Sequence, residues 1–296
     1  MEWDKPGEIP RNVKELQVKH HARVLPKSCS TSQSNAMKTV TYCTHSTITE
    51  AWGLILGLPG KPDEEEVSAL AHWGRKRFGH LQKLPSVVVM QWPNADLVSP
   101  FWQQQLTWDE SRLLARIGHR YLSVHFLKKG DERYRTYQES LQPAVAGWLE
   151  TYDETLLGTR EQYPVDRIGF GYVNTFQFPA LDFDLSKYFR LSLGIGVEAA
   201  QKGLLDLETN FWLFDAAHAA DVVINLLVHT EEDEGRQLQV QTKIVAERRG
   251  IEECSFKDKD KILVELLRAK KAAKSMFFDF ATEETHKIMG AQYASD

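Results

Sequence analysis

Cysteine is scarce in this chain of 296 residues: Cys29, Cys43 and Cys254 stand far apart, with no C-x-x-C pair. That count gives neither a disulfide framework nor a structural zinc site, and it fits a reducing compartment. Long apolar runs are missing too, and none approaches the roughly 20 residues that span a bilayer. Nor is there an excess of positive charge. With 36 basic and 41 acidic residues the net charge is -5, so the broad basic field that binds nucleic acid by counterion release is lacking. One local basic stretch, Arg268, Lys270, Lys271 and Lys274, falls on an expected helix and reads as its solvated face. Residues 1–36 have no apolar core of the kind a signal peptide needs. The expectation is a cytoplasmic protein that engages no membrane and no nucleic acid.

Catalytic and cofactor motifs are also absent. Gly194-Ile195-Gly196-Val197-Glu198-Ala199 has the letters of a dinucleotide fingerprint, but Gly203 follows too soon for the helix that would meet the pyrophosphate. Gly57, Gly60 and Lys61 miss the phosphate loop, which needs glycine where Ile55 stands and a hydroxyl residue where Pro62 stands. Asp206 and Glu208 share one face of an expected strand and read as surface carboxylates rather than metal ligands. Ten histidines are scattered without H-E-x-x-H or H-x-H, and His119, His125, His218 and His229 each read as structural. There is no G-x-S-x-G elbow. No cofactor and no metal is therefore expected, and no catalytic residue is assigned.

What is present is an ordinary globular composition, 42% hydrophobic and 26% charged. Residues 1 to about 40 stand apart, with Pro6, Pro10, Pro26 and a polar run from Ser28 to Asn35 but no sustained period. Met37 reads as the start. Ser34-Asn35-Ala36 resembles a cloning scar, with in-frame upstream translation as the rival explanation. From Ile48 to Leu58 runs a strand, closed by Pro59-Gly60. A helix starting at Asp63 follows, its stripe Val67, Leu70, Ala71, Trp73, Gly74 and Phe78. Strands are expected over 87–92, 101–108, 113–117 and 121–127. In the last, Leu122, Val124 and Phe126 alternate with Ser123 and His125, which predicts one wet face. A helix from Tyr134 to Tyr152 ends this half.

The second half repeats the order. A strand over 168–178 and a short turn capped by Asp184 precede strands over 191–197, 205–214, 222–229 and 238–247. A helix from Lys259 to Phe280 closes it, its stripe Ile262, Leu263, Leu266, Leu267, Ala273, Phe277 and Phe280. The expected fold class is α+β: two pseudo-repeated β-α-β(3-4)-α modules with antiparallel sheets, each carrying a long helix on one face. That order is similar to TATA-binding-protein-like and helix-grip folds. The expected division is an extension over 1–36, one module over 37–160 and a second over 161–296, with a single continuous domain as the other option.

Short pieces carry a family resemblance: Ile48-Thr49-Glu50-Ala51, Gly118-His119-Arg120-Tyr121-Leu122 with Tyr134-x-x-Tyr137, and Tyr172-Val173-Asn174. Phe278-x-Phe280-Ala281-Thr282-Glu283-Glu284 before Met289-Gly290 extends it. Over residues 40 to 290 the chain resembles a sporadically distributed family of uncharacterised prokaryotic proteins. It departs from that pattern at His125-Phe126, where tryptophan is usual. The resemblance implies a prokaryotic origin and no particular chemistry.

One strand combines glycines with aromatics: Gly169, Phe170, Gly171, Tyr172, Asn174, Phe176 and Phe178. Its glycines leave hollows for a partner or ligand, making Gly169, Gly171, Tyr172, Asn174 and Phe176 a candidate binding surface; cover by the final helix is the other reading. With eight tryptophans and nine tyrosines, a non-enzymatic binding or protein-interaction module is expected, partnered by another protein or a second copy. An accessory role in a defence or toxin-control system suits that reading. The alternative is an enzyme whose site is assembled from dispersed carboxylates and histidines.

Overall fold

Antiparallel pairing organises the described part of the chain. In the computed structural model, the described residues are 40–43, 47–57, 64–79, 82–84, 103–110, 112–118, 121–130, 136–156, 163–179, 184–190, 206–231, 237–251 and 253–293. The strands are β1 (Val40–Cys43), β2 (Ile48–Gly57), β3 (Gln82–Leu84), β4 (Gln103–Trp108), β5 (Leu113–Gly118) and β6 (Tyr121–Leu127). After them come β7 (Val165–Pro179), β8 (Asp206–Asp215), β9 (Ala220–Glu231), β10 (Gln237–Arg249) and β11 (Ala291–Tyr293). The helices are α1 (Glu64–Phe78), α2 (Leu141–Leu156), α3 (Leu185–Tyr188), α4 (Lys259–Phe280) and α5 (Glu283–Ile288). Among the described residues, nine strands form one sheet in the order β3-β4-β5-β6-β2-β7-β10-β9-β8, while β1 and β11 pair separately. The β2–β7 ladder joins strands from both halves of the chain into that sheet.

Local chemistry sets the element ends. Asp109 and Glu110, both at positive φ, make the β4–β5 turn, which the Arg112 amide closes onto the Asp109 carbonyl. Asp184 accepts from the Ser186 amide and caps α3 as expected. Thr136 and Glu139 form a reciprocal capping box ahead of α2. The helical pattern therefore begins near Tyr137 and becomes α-helix at Leu141, later than the sequence period suggests. Tyr134, the expected strands over 87–92 and 191–197, and residues 1–36 lie outside the described residues.

One face of the sheet carries the helices. Ala51 and Ile55 of β2, Leu122, Val124 and Phe126 of β6, and Phe170, Tyr172 and Phe176 of β7 join the main core. From the helices come Val145, Trp148, Leu266 and Phe277. Gly53 brings α2 and α4 together over β2, because a Cβ there would lie 3.0 Å from Leu266 and 3.5 Å from Val145. Two helix glycines do the same between α1 and α2: Gly74 lies against Trp148 and Gly147 against Phe78. Three details differ from expectation. Trp73 is 37% exposed at the flank of α1, where Lys76 lies over its ring. On α4, Leu263 and Leu267 are only half-buried while Ala269 and Ala272 are buried, because small residues fit where the helix meets the sheet. The third is the supposedly wet face of β6, where Ser123 is 1% and His125 5% exposed.

Candidate functional site

Register assigns the residues of the face away from the helices to rows that run across the strands. One row reads Thr107, Leu114, His125, Trp52, Gly171, Val245, Val223 and Trp212. The next reads Gln105, Arg116, Ser123, Leu54, Gly169, Glu247, Asp221 and Phe214. On the helix side, β4 to β6 present Leu106, Ala115, Ile117, Leu122 and Val124. Opposite, the same strands carry buried Gln105, Thr107, Ser123 and His125. Burying such groups without partners costs stability, so their hydrogen bonds decide whether the arrangement holds.

Ser123 and His125 join Tyr121 and Glu50 in a directed chain. The Tyr121 hydroxyl donates to Ser123 Oγ at 3.2 Å, and Ser123 Oγ lies 3.0 Å from His125 Nε2. His125 Nδ1 lies 2.7 Å from Glu50 Oε1 on the neighbouring strand. Burial works against ionising Glu50, but the hydrogen bond and charge of His125, with Arg116 and Lys243 near, hold its carboxyl below the usual range. His125 is pulled below the usual imidazole value, first by burial and also by Arg116 and Lys243, against the upward pull of Glu50. At neutral pH the pair is thus a carboxylate and a neutral imidazole. Nδ1–H donates to Glu50, which leaves Nε2 to accept from the serine hydroxyl.

Two further features frame the chain. The Trp52 ring stacks on His125 with centroids 5.9 Å apart and planes at 18°. Lys243 Nζ stands over that indole, 5.5 Å from the ring centroid. Arg116, the cross-strand neighbour of Ser123, has a buried Nε that meets no hydrogen-bond acceptor among the described residues. A guanidinium N–H without an acceptor is suited to a small oxyanion. Further along the row, Glu247 is 4% exposed and its carboxyl is pushed up to about 7 by burial, against the opposing pull of Arg167 and Arg249.

The strand-β7 candidates divide between the two faces. Tyr172, Asn174 and Phe176 point to the helix side and are buried. The Tyr172 hydroxyl donates to the Ala273 carbonyl at 2.8 Å, and Asn174 bonds to Thr47 and Thr242. Gly169 and Gly171 lie on the other face. A Cβ at Gly171 would come within 2.2 Å of the Trp52 ring, so the chain's own indole fills that hollow. Sequence reasoning did not bring together Glu50, Ser123 and His125, although Ser-x-His on one side of a strand was a visible signal.

Glu208 of β8 bonds to Asn225 at an exposed position. Among the described residues, no group of three or more His, Cys, Asp or Glu could hold a metal ion. No described helix is long and apolar enough to cross a membrane. Cys254 is a free, buried thiol pushed up to about 11, first by burial.

The chain matches no protein-family model and no curated protein. A solved structure, that of DynU16 from the dynemicin biosynthetic locus, is 14% identical over 75% of this chain and 95% of its own, with a TM-score of 0.20. So weak a likeness carries nothing about fold or function.

Proposed function

We propose that this is a binding protein whose contact surface is the sheet face away from the helices, and that it takes a small carboxylate beside Arg116. The observation that carries this is the buried polar patch on β4 to β6, backed on the same strands by an apolar helix face. Within it the buried Arg116 Nε–H is left without an acceptor among the described residues, and an unmet buried donor is costly. Arg116 supplies the charge and an N–H donor, and Trp52 an apolar wall. Benzoate is a suitable probe. A ligand at a hundred times its Kd stabilises a fold by about 2.7 kcal/mol, so excess benzoate should raise the melting temperature by several degrees. Arg116→Gln should remove the rise, and an unchanged wild-type melt would refute the reading.

The duplicated architecture belongs to the same proposal. From the β2–β7 pair the sheet runs outward as β6-β5-β4-β3 on one side and β10-β9-β8 on the other. That symmetry of order supports two β-α-β(3-4)-α modules of the TATA-binding-protein-like kind. Membership of the resembled prokaryotic family, a cytoplasmic setting and an accessory role in defence or toxin control go with it. A protein partner or second copy is favoured by exposed Trp212 and Phe214 at the far end of the same face. Sedimentation of wild type and Phe214→Ser tests self-association; identical monomeric profiles would remove the second copy.

A further inference from the structure

We propose that Ser123 is a nucleophile that accepts the acyl group of a small carboxylic ester at the polar patch, with His125 as its base and Glu50 positioning the imidazole. This rests on the reading of that patch as a carboxylate site and adds the chemistry performed there. The support is geometric. The hydroxyl, imidazole and carboxylate are joined in that order by contacts of 3.0 Å and 2.7 Å. Nδ1 is committed to Glu50, so Nε2 faces the serine as an acceptor. Stacked Trp52 holds the ring plane. Both side chains are almost fully buried, and a low-dielectric setting strengthens these bonds.

The steps balance without another cofactor. Ser123 Oγ bonds to the ester carbonyl carbon while its proton passes to His125 Nε2. The carbonyl electron pair moves onto oxygen, opposite the Arg116 cation across the strand pair. That pair returns as the bond to the alcohol oxygen breaks, and the alkoxide leaves with the proton from His125. Water then attacks the seryl ester by the same route, releasing the carboxylate and restoring the hydroxyl. The carboxylate product is the class of ligand that Arg116 would hold.

Methanesulfonyl fluoride, a small electrophile, tests the nucleophile in the intact protein. Its S–F bond is exchanged for S–O at a reactive serine, and the adduct is read by mass on the tryptic peptide Tyr121–Lys128. The expected adduct sits on Ser123 and is absent in Ser123→Ala. His125→Gln should slow labelling by roughly 100-fold or more, the usual range for losing a general base. Glu50→Gln tests positioning through the pH profile. Glu50 from β2 raises the imidazole pKa, while Arg116 from β5 and Lys243 from β10 lower it. Its neutral variant should therefore move the labelling midpoint to lower pH, a change that a merely structural role would not produce. No adduct, an adduct on Tyr121, or labelling indifferent to His125 in a variant that melts like wild type overturns the proposal. Benzoate binding with no adduct overturns it while sparing the binding reading; an adduct without benzoate binding supports the nucleophile and removes the carboxylate site.

Discussion

Replacing Glu247 by glutamine should stabilise the protein relative to wild type, and the gain should grow as pH rises. Glu247 is almost completely buried beside Gly169, and burial pushes its carboxyl from 4.5 to about 7. Arg167 and Arg249 draw the value down, with the nearest Arg249 nitrogen 3.6 Å from the carboxylate, while Asp221 and Asp166 draw it up. Because the folded value is raised, the folded chain binds a proton more tightly than the unfolded chain. The stability linked to that proton is complete below the unfolded pKa and is lost as pH rises through about 7. At about 1.4 kcal/mol per pH unit, ionisation costs the fold roughly 3 kcal/mol at pH 8 and about 1 kcal/mol at pH 5. Attraction to the arginines is already contained in the shifted value and is not subtracted again. Glutamine keeps the shape and cannot ionise. Urea unfolding of both proteins from pH 5 to pH 8 should give a difference that grows by about 2 kcal/mol in favour of Glu247→Gln. Other groups cancel in that difference. A gap that stays flat, or shrinks toward pH 8, would refute the burial argument.

The α4 interface should be sensitive in its stripe and tolerant outside it. Phe277→Ala, which empties a buried site against Tyr172, should cost about 3–5 kcal/mol, whereas exposed Lys271→Ala should stay within about 0.5 kcal/mol. Equal urea midpoints would refute this. The β7 glycines should also differ from each other. Gly171→Ala drives a methyl into the Trp52 ring and should cost about 1–3 kcal/mol. At Gly169 a Cβ would meet its neighbours at 3.4 to 3.6 Å, and alanine should be tolerated; equal losses in urea unfolding would contradict the geometry.

The elements were legible where one periodicity governs a whole segment. Alternation over Tyr121 to Leu127 and the stripe from Lys259 to Phe280 give β6 and α4 with the bounds observed. A period says which side chains share a face, but not what lies over that face. Ser123 and His125 therefore read as wet, and Trp73 joined the α1 stripe although it ends at the flank. The candidate site was less legible for a topological reason. Glu50 and His125 are 75 residues apart and meet only because β2 inserts between β6 and β7. Nothing local in the sequence specifies that insertion.

The same topology explains why a central strand holds Gly171, although glycine weakens a strand by adding backbone freedom and removing packing. His125, Trp52 and Gly171 are successive members of one row. The indole can lie over β7 only if the residue beneath it has no Cβ, because the ring atoms would otherwise be 2.2 to 2.8 Å away. In that position it stacks on the imidazole, whose two nitrogens then face Ser123 and Glu50. The glycines first suggested a hollow for a ligand. Gly171 instead accommodates the chain's own tryptophan, which acts on the neighbouring histidine. In the proposed reading, ligand contact falls to Arg116 of β5 and Ser123 of β6, and Gly171 contributes through Trp52 rather than by direct contact.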